Sequence, residues 1–168
     1  AFAYVFDRVT GEPVWPIIET PVPQTTVPGE WTSTTQPIPT QPPGFDVQGY
    51  SEDDLIDFTP ELRATAIEAL TNYTTGPIYT PASVVSQDNV GTLQLPGFGG
   101  GANWPSGAAD PETGFVYVGS ITNPTVLGLE PNLPARPEDP DYTDYRMSGG
   151  LPDLPFGLPL LKPPYGRI

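Results

Sequence analysis

Proline and glycine together make up about a quarter of this chain, 25 and 18 of its 168 residues. Proline fixes φ and removes a backbone donor, while glycine loses the most conformational freedom on ordering, so long helices are scarce and loop-dominated structure is favoured. Apolar content opposes outright disorder. Hydrophobic residues are 37% of the chain, and three tryptophans, eight tyrosines and seven phenylalanines exceed what a solvating linker carries. The balance predicts a folded but irregular chain, of a length suited to one domain.

Twenty acidic residues against six basic ones leave a net charge of -14. Such a chain repels phosphate backbones and anionic membrane surfaces, which excludes nucleic acid as a partner. The acidic excess reads as the solubilising charge of an exported protein, and no cation site follows from it. Cysteine and histidine are both absent, so disulfides, thiolate ligands, cysteine nucleophiles and imidazole bases are unavailable to it. Any chemistry here must use carboxylates or a cofactor. The opening residues lack the basic and apolar regions of a leader, and no apolar run approaches a membrane span. The chain is expected to be the interior of a longer protein.

Residues 1–15 read as two short strands around the turn Asp7-Arg8-Val9-Thr10-Gly11, with Val14-Trp15 starting the return. Aspartate accepts backbone hydrogen bonds inside such a turn and glycine supplies positive φ. The same grammar recurs about a hundred residues later, where Asp110-Pro111-Glu112-Thr113-Gly114 joins Ala108-Ala109 to Phe115-Val116-Tyr117-Val118. Between the two turns, residues 16–43 are proline-rich and expected to run extended over a surface. Ser51-Glu52-Asp53-Asp54 has the form of a capping box before Leu55-Ile56. Thr59-Pro60 has the form of an N-cap followed by proline at the first helical position, predicting a helix over about 60–72. Leu62, Ala66, Ala69, Leu70 and Tyr73 form its apolar face. Gly91 to Leu95 reads as a strand and Gly97 to Gly101 as a flexible bend. From 121 to 164 the pattern shows no strong element, and the final KPPYGRI looks like the approach to a strand.

Few motifs carry chemistry. The acidic residues of 51–57 lack the alternating oxygen ligands and central glycine of a calcium loop, so no metal site is assigned. Phe98-Gly99-Gly100-Gly101 falls short of a dinucleotide fingerprint and reads as a bend that lets backbone approach something bulky. Asn72-Tyr73-Thr74 satisfies the glycosylation triplet, a pattern too common to weigh. Asn103-Trp104 is the most chemical pair, since an indole face stacks and an amide both donates and accepts in plane. Physics alone favours a packing role for Trp104.

An ordered series of segments carries a resemblance: YVFDRVTGEPVWP (4–16), VPQTTVPGEWTSTTQPIPTQPPGFD (22–46), DDLIDFTPELR (53–63), GPIYTPAS (76–83), GTLQLPGFGGGANWPSGAADPETGFVYVGS (91–120) and KPPYGRI (162–168). Together they resemble the dehydrogenases dependent on pyrroloquinoline quinone (PQQ), within them the membrane glucose dehydrogenase branch. The resemblance implies an all-β fold, a fragment of an eight-bladed β-propeller with long proline-rich insertions and one short helix. It implies outer strands of one blade at 1–15, an insertion at 16–90, inner strands of the next blade at 91–120, and an insertion at 121–168 leading to a truncated strand.

By the same resemblance, Asn103 aligns with a cofactor-contacting asparagine, with Trp104 and the bend at Gly100 and Gly101 as weaker candidates for PQQ binding. The family's catalytic aspartate and its quinone-contacting lysine correspond to positions before Ala1, and its calcium or magnesium ligands map onto no residue here. The implied activity is oxidation of a sugar or alcohol with electrons passed to a quinone or cytochrome, in the periplasm, with membrane association through partners. The segment alone is expected not to turn over, and the rest of the propeller or a neighbouring subunit is its expected partner. The competing reading, from the missing base and lysine, is a non-catalytic accessory subunit of a larger assembly.

Overall fold

Strand order begins where proline is densest. The computed structural model describes residues 1–103, 107–134, 137–139, 142–152 and 157–168. Inside the proline-rich stretch, β1 (Ile17–Pro21) and β2 (Thr35–Pro39) form an antiparallel ribbon where extended unpaired chain was expected. Its register explains how a ladder tolerates so much proline. Pro39 faces Ile17, Pro37 faces Glu19 and Pro21 faces Thr35, so all three prolines occupy the same alternate set of pairs. The other set carries the hydrogen bonds, as the continuing bonds from Thr40 N–H to Pro16 and from Val22 N–H to Thr34 show, at 2.9 and 3.2 Å.

The helix follows its predicted signals. α1 spans Pro60–Leu70, two residues shorter than expected at its C-terminus, with Thr59 Oγ1 accepting from Leu62 N–H at 3.2 Å. Proline at the first position needs no donor there. Ala66 is fully buried, and Leu62, Leu70 and Tyr73 pack against the core. Ser51 and Asp54 do close a reciprocal capping box, but around a single 3-10 turn, Glu52–Asp54. That turn ends in Leu55 and Ile56, both 0% exposed.

The two Asp-x-x-Thr-Gly turns adopt one conformation. Asp7 Oδ1 accepts from Val9 N–H and Thr10 N–H, both at 2.8 Å, and Gly11 N–H returns to Asp7 O at 2.9 Å with φ of 76°. Asp110 accepts from Glu112 N–H at 2.9 Å and from the Thr113 hydroxyl at 2.6 Å; Gly114 N–H returns to Asp110 O at 2.8 Å, again with φ of 76°. The second turn joins β5 (Gly107–Asp110) to β6 (Phe115–Val118) in antiparallel register. Around the first, a single bridge between Phe6 and Pro13 replaces the two short strands expected. Asp7 N–H to Glu12 O at 2.8 Å and Val14 N–H to Val5 O at 2.9 Å flank that bridge, so Pro13 sits in a pair that needs no N–H.

The largest departure from expectation lies beyond residue 121, where no strong element was foreseen. β8 (Thr125–Pro131) is the hub of the largest sheet: β9 (Tyr145–Gly150) pairs along one edge, while β4 (Thr92–Gln94, antiparallel) and β3 (Ser83–Val84, parallel) share the other. Gly128 sits where they converge. A Cβ there would come within 2.5 Å of Val85 Cγ2 and 2.9 Å of Ser148 Oγ, so glycine marks close approach of neighbouring chain. β7 (Ser120–Ile121) pairs with β10 (Gly166–Arg167), the strand that KPPYGRI anticipates.

Leu55, Ile56, Ala66, Leu93, Leu95, Val126, Leu160 and Leu161 make the core. Among the described residues the regular structure is mostly strand, with one α-helix. The carboxyl groups of the twin turns report on their geometry. Asp7 is held below its ordinary value mainly by the Thr10 backbone N–H, Asp110 mainly by the Thr113 hydroxyl. A depressed folded value means that both turns are supported above the unfolded carboxyl range and lose that support as pH falls through the folded value. Thr113→Val is expected to raise the midpoint of Asp110 clearly, and Thr10→Val to raise that of Asp7 less; carboxyl-carbon NMR titration reads both, and an equal or reversed pair of shifts contradicts the assignment of causes.

Candidate functional site

The bend at 97–101 is pinned at both ends. Phe98 N–H donates to the buried Thr125 hydroxyl at 3.0 Å, and Gly100 N–H to Gly97 O at 2.8 Å, with Gly100 at φ of 80°. At the far end Ile121 N–H donates to Gly101 O at 2.7 Å, tying the bend to β7 and through it to β10. Gly99 has open space where a side chain would begin, with nothing within 4 Å. The result is a fixed run of bare backbone facing a cavity of about 820 Å³, within the range that holds small cofactors.

Three of the four residues singled out from sequence, Gly100, Gly101 and Asn103, line this cavity together. Asn103 is exposed and Gly101 buried. Trp104 lies outside the described residues. Ser120, Asn123 and Arg167 also line the cavity and were not foreseen. Arg167 was legible only as part of KPPYGRI, with no signal of a role.

Beneath the bend lies a residue that sequence reasoning passed over. Asp46 closes the proline-rich region, and its side chain is 1% exposed. Its Oδ1 accepts from Val47 N–H at 2.7 Å and stands 3.6 Å from Arg167 Nη1. Its Oδ2 is buried against Gly101, where a Cβ would come within 1.7 Å, and has no hydrogen-bond partner among the described residues. Gly101 is therefore required by close packing of a carboxylate. Ser120 Oγ is likewise buried without a partner among them.

Displaced ionisations occur elsewhere in the chain. Burial pushes the Tyr50 phenol up to about 12, with Glu52 and Asp54 adding to the effect, and Glu61 is held low by backbone N–H at the start of α1. Neither lines the cavity. Among the described residues no group of three or more carboxylates could hold a metal ion, and no helix is long and apolar enough to cross a membrane. The cavity offers hydrogen bonding and one cationic side chain, so what it can do chemically is hold and orient a planar polar molecule.

A family model described as PQQ: glucose/ethanol/alcohol dehydrogenase, beta-propeller domain, matches residues 1–168. Among curated proteins the chain is similar to the quinate/shikimate dehydrogenase (quinone) of Acinetobacter baylyi, 31% identical over 98% of this chain and 22% of the relative. It is 32% identical to the quinoprotein glucose dehydrogenase of Gluconobacter oxydans, over 98% of this chain and 22% of that protein. The glycerol dehydrogenase large subunit of the same organism is 28% identical, with 98% and 25% covered. The chain thus spans about a quarter of the length of these relatives. No solved structure gives a significant match.

Gly101→Ala is expected to lower the stability of the protein by about 1–3 kcal/mol, because the added methyl meets a buried carboxylate that cannot swing away. Gly99→Ala should stay within about 0.5 kcal/mol of the parent, since nothing crowds it. Urea denaturation distinguishes them, and equal stabilities would contradict the packing described.

Proposed function

We propose, since the chain belongs to the PQQ glucose/ethanol/alcohol dehydrogenase β-propeller family, that residues 1–168 form one wall of the cofactor cavity in a dehydrogenase that oxidises a sugar or alcohol and passes electrons to a quinone or cytochrome. The observation that carries this reading is the convergence of Asn103 with the pinned glycine bend on one cavity. In this reading the twin turns belong to successive four-stranded blades of an eight-bladed ring, 1–15 contributing outer strands and 91–120 inner strands. The stretches 16–90 and 121–168 are insertions between them. A periplasmic setting is part of the same proposal and rests on the resemblance.

The residues suit the cofactor. Bare backbone at Gly99 and Gly100 lets a flat ring system approach without side-chain interference. The Asn103 amide can donate and accept in the plane of such a ring. PQQ, when bound, accepts two electrons from the substrate, so the protein need only bind, orient and exclude competing reactions. Asn103 would fix the in-plane orientation and the glycine bend the depth of seating. No carboxylate of residues 1–168 is assigned as the catalytic base, and a metal ion paired with the cofactor is assigned no ligand among them.

The experiment is a titration of the full-length apoprotein with PQQ. Asn103→Ala is expected to weaken binding by about tenfold, the effect of about 1–2 kcal/mol from a lost ligand hydrogen bond. Unchanged affinity would refute the role of Asn103. A full-length protein with no affinity for PQQ would favour the accessory-subunit reading instead.

A further inference from the structure

Arg167 is one of only six basic residues in a chain of net charge -14. Among the described residues lining the cavity it is the single cation. Its guanidinium is held from two sides: Nη1 donates to the Thr122 hydroxyl and stands 3.6 Å from Asp46 Oδ1. Both partners are buried, Thr122 at 8% exposure and the Asp46 side chain at 1%, while the arginine side chain keeps 31%.

Burying a carboxylate is unfavourable unless a charge partner and hydrogen bonds offset it. Here Asp46 is placed under the glycine bend with one oxygen unpartnered among the described residues, and the group that it faces is the cavity's cation. A guanidinium has five N–H donors in a rigid fork, and both described contacts use the same nitrogen, Nη1. The other nitrogens of the fork are not consumed by these two contacts. About a third of this side chain stays exposed, and Arg167 lines this cavity as well as a second hollow beside Pro42, Gly44 and Val118.

The ligand class follows from charge. PQQ is a planar tricarboxylate, and the overall field of an acidic protein opposes its entry. A fixed cation at the cavity wall reverses that locally, and a guanidinium fork matches a carboxylate bidentately where a lysine could not. We infer that Arg167 binds a carboxylate of the cofactor and that Asp46, with Thr122, is its positioning residue. This rests on the PQQ-binding reading above and assigns a recognition role that neither composition nor spacing indicated.

The test is binding to the full-length apoprotein, read by equilibrium dialysis with PQQ and with its trimethyl ester. Arg167→Ala should weaken PQQ binding tenfold or more and leave the ester nearly unaffected; Arg167→Lys should fall between it and the parent. Asp46→Asn should weaken PQQ binding less than Arg167→Ala does, and in the same ligand-selective way. Parent-like PQQ affinity in Arg167→Ala overturns the inference, as does an equal loss toward PQQ and ester. If Arg167→Ala fails to fold, as judged by near-UV circular dichroism, Arg167→Lys decides: a loss confined to PQQ supports the inference and unchanged affinity overturns it. A parent protein that binds neither compound overturns the functional reading itself, which separates the two failures.

Discussion

The fold depends on a contact between two segments about a hundred residues apart in sequence. Ile56 N–H donates to Leu160 O at 3.0 Å, Lys162 N–H to Asp54 O at 2.9 Å, and Leu55 bridges Leu161. Those backbone bonds bring together four of the eight core side chains, Leu55, Ile56, Leu160 and Leu161. Hydrogen bonds of this kind stabilise modestly by themselves, but here they are shielded by the apolar side chains that they align. A chain so rich in proline and glycine has little local structure to fall back on, so its order must come from such long-range closure.

The same closure orients the cavity. β10 follows directly on the Leu160–Lys162 segment, and β7, which pairs with it, is tied to the glycine bend through Ile121. Core packing is thus transmitted to the cavity wall in three short steps. Asp46 adds a second route, linking the end of the proline-rich region to both Gly101 and Arg167. Under the function proposed above, rigid support of this kind matters because a cofactor seated loosely is held in unproductive poses as well as productive ones.

What could be read from the sequence was local. The Asp-x-x-Thr-Gly turns, the Thr59-Pro60 start of α1 and the Ser51–Asp54 box each place donor, acceptor and special backbone residue within a few positions, and each appears where expected. β1 and β2 were missed because proline argues against strands, and only the register reveals that Pro21, Pro37 and Pro39 avoid the bonded pairs. β8 and β9 were missed because residues 121–164 are proline-rich and only weakly periodic; within β8, Gly128 is glycine for want of room. Asn103 and Gly101, which line the cavity, were singled out through family resemblance. Asp46 and Arg167 stand 121 residues apart, so their pairing belongs to the fold and no spacing rule could have found it.

The register of the β1–β2 ribbon has one more implication. In an antiparallel pair, residues outside the bonded set turn their backbone groups outward. Pro37 and Pro39 therefore strip the free rim of β2 of donors, and Pro21 does the same at the end of β1. An approaching extended segment would find carbonyls there but few hydrogens to meet its own. The prolines that make this region hard to recognise as sheet also keep it from growing into a larger one, a form of self-limitation suited to a ribbon that has two strands among the described residues.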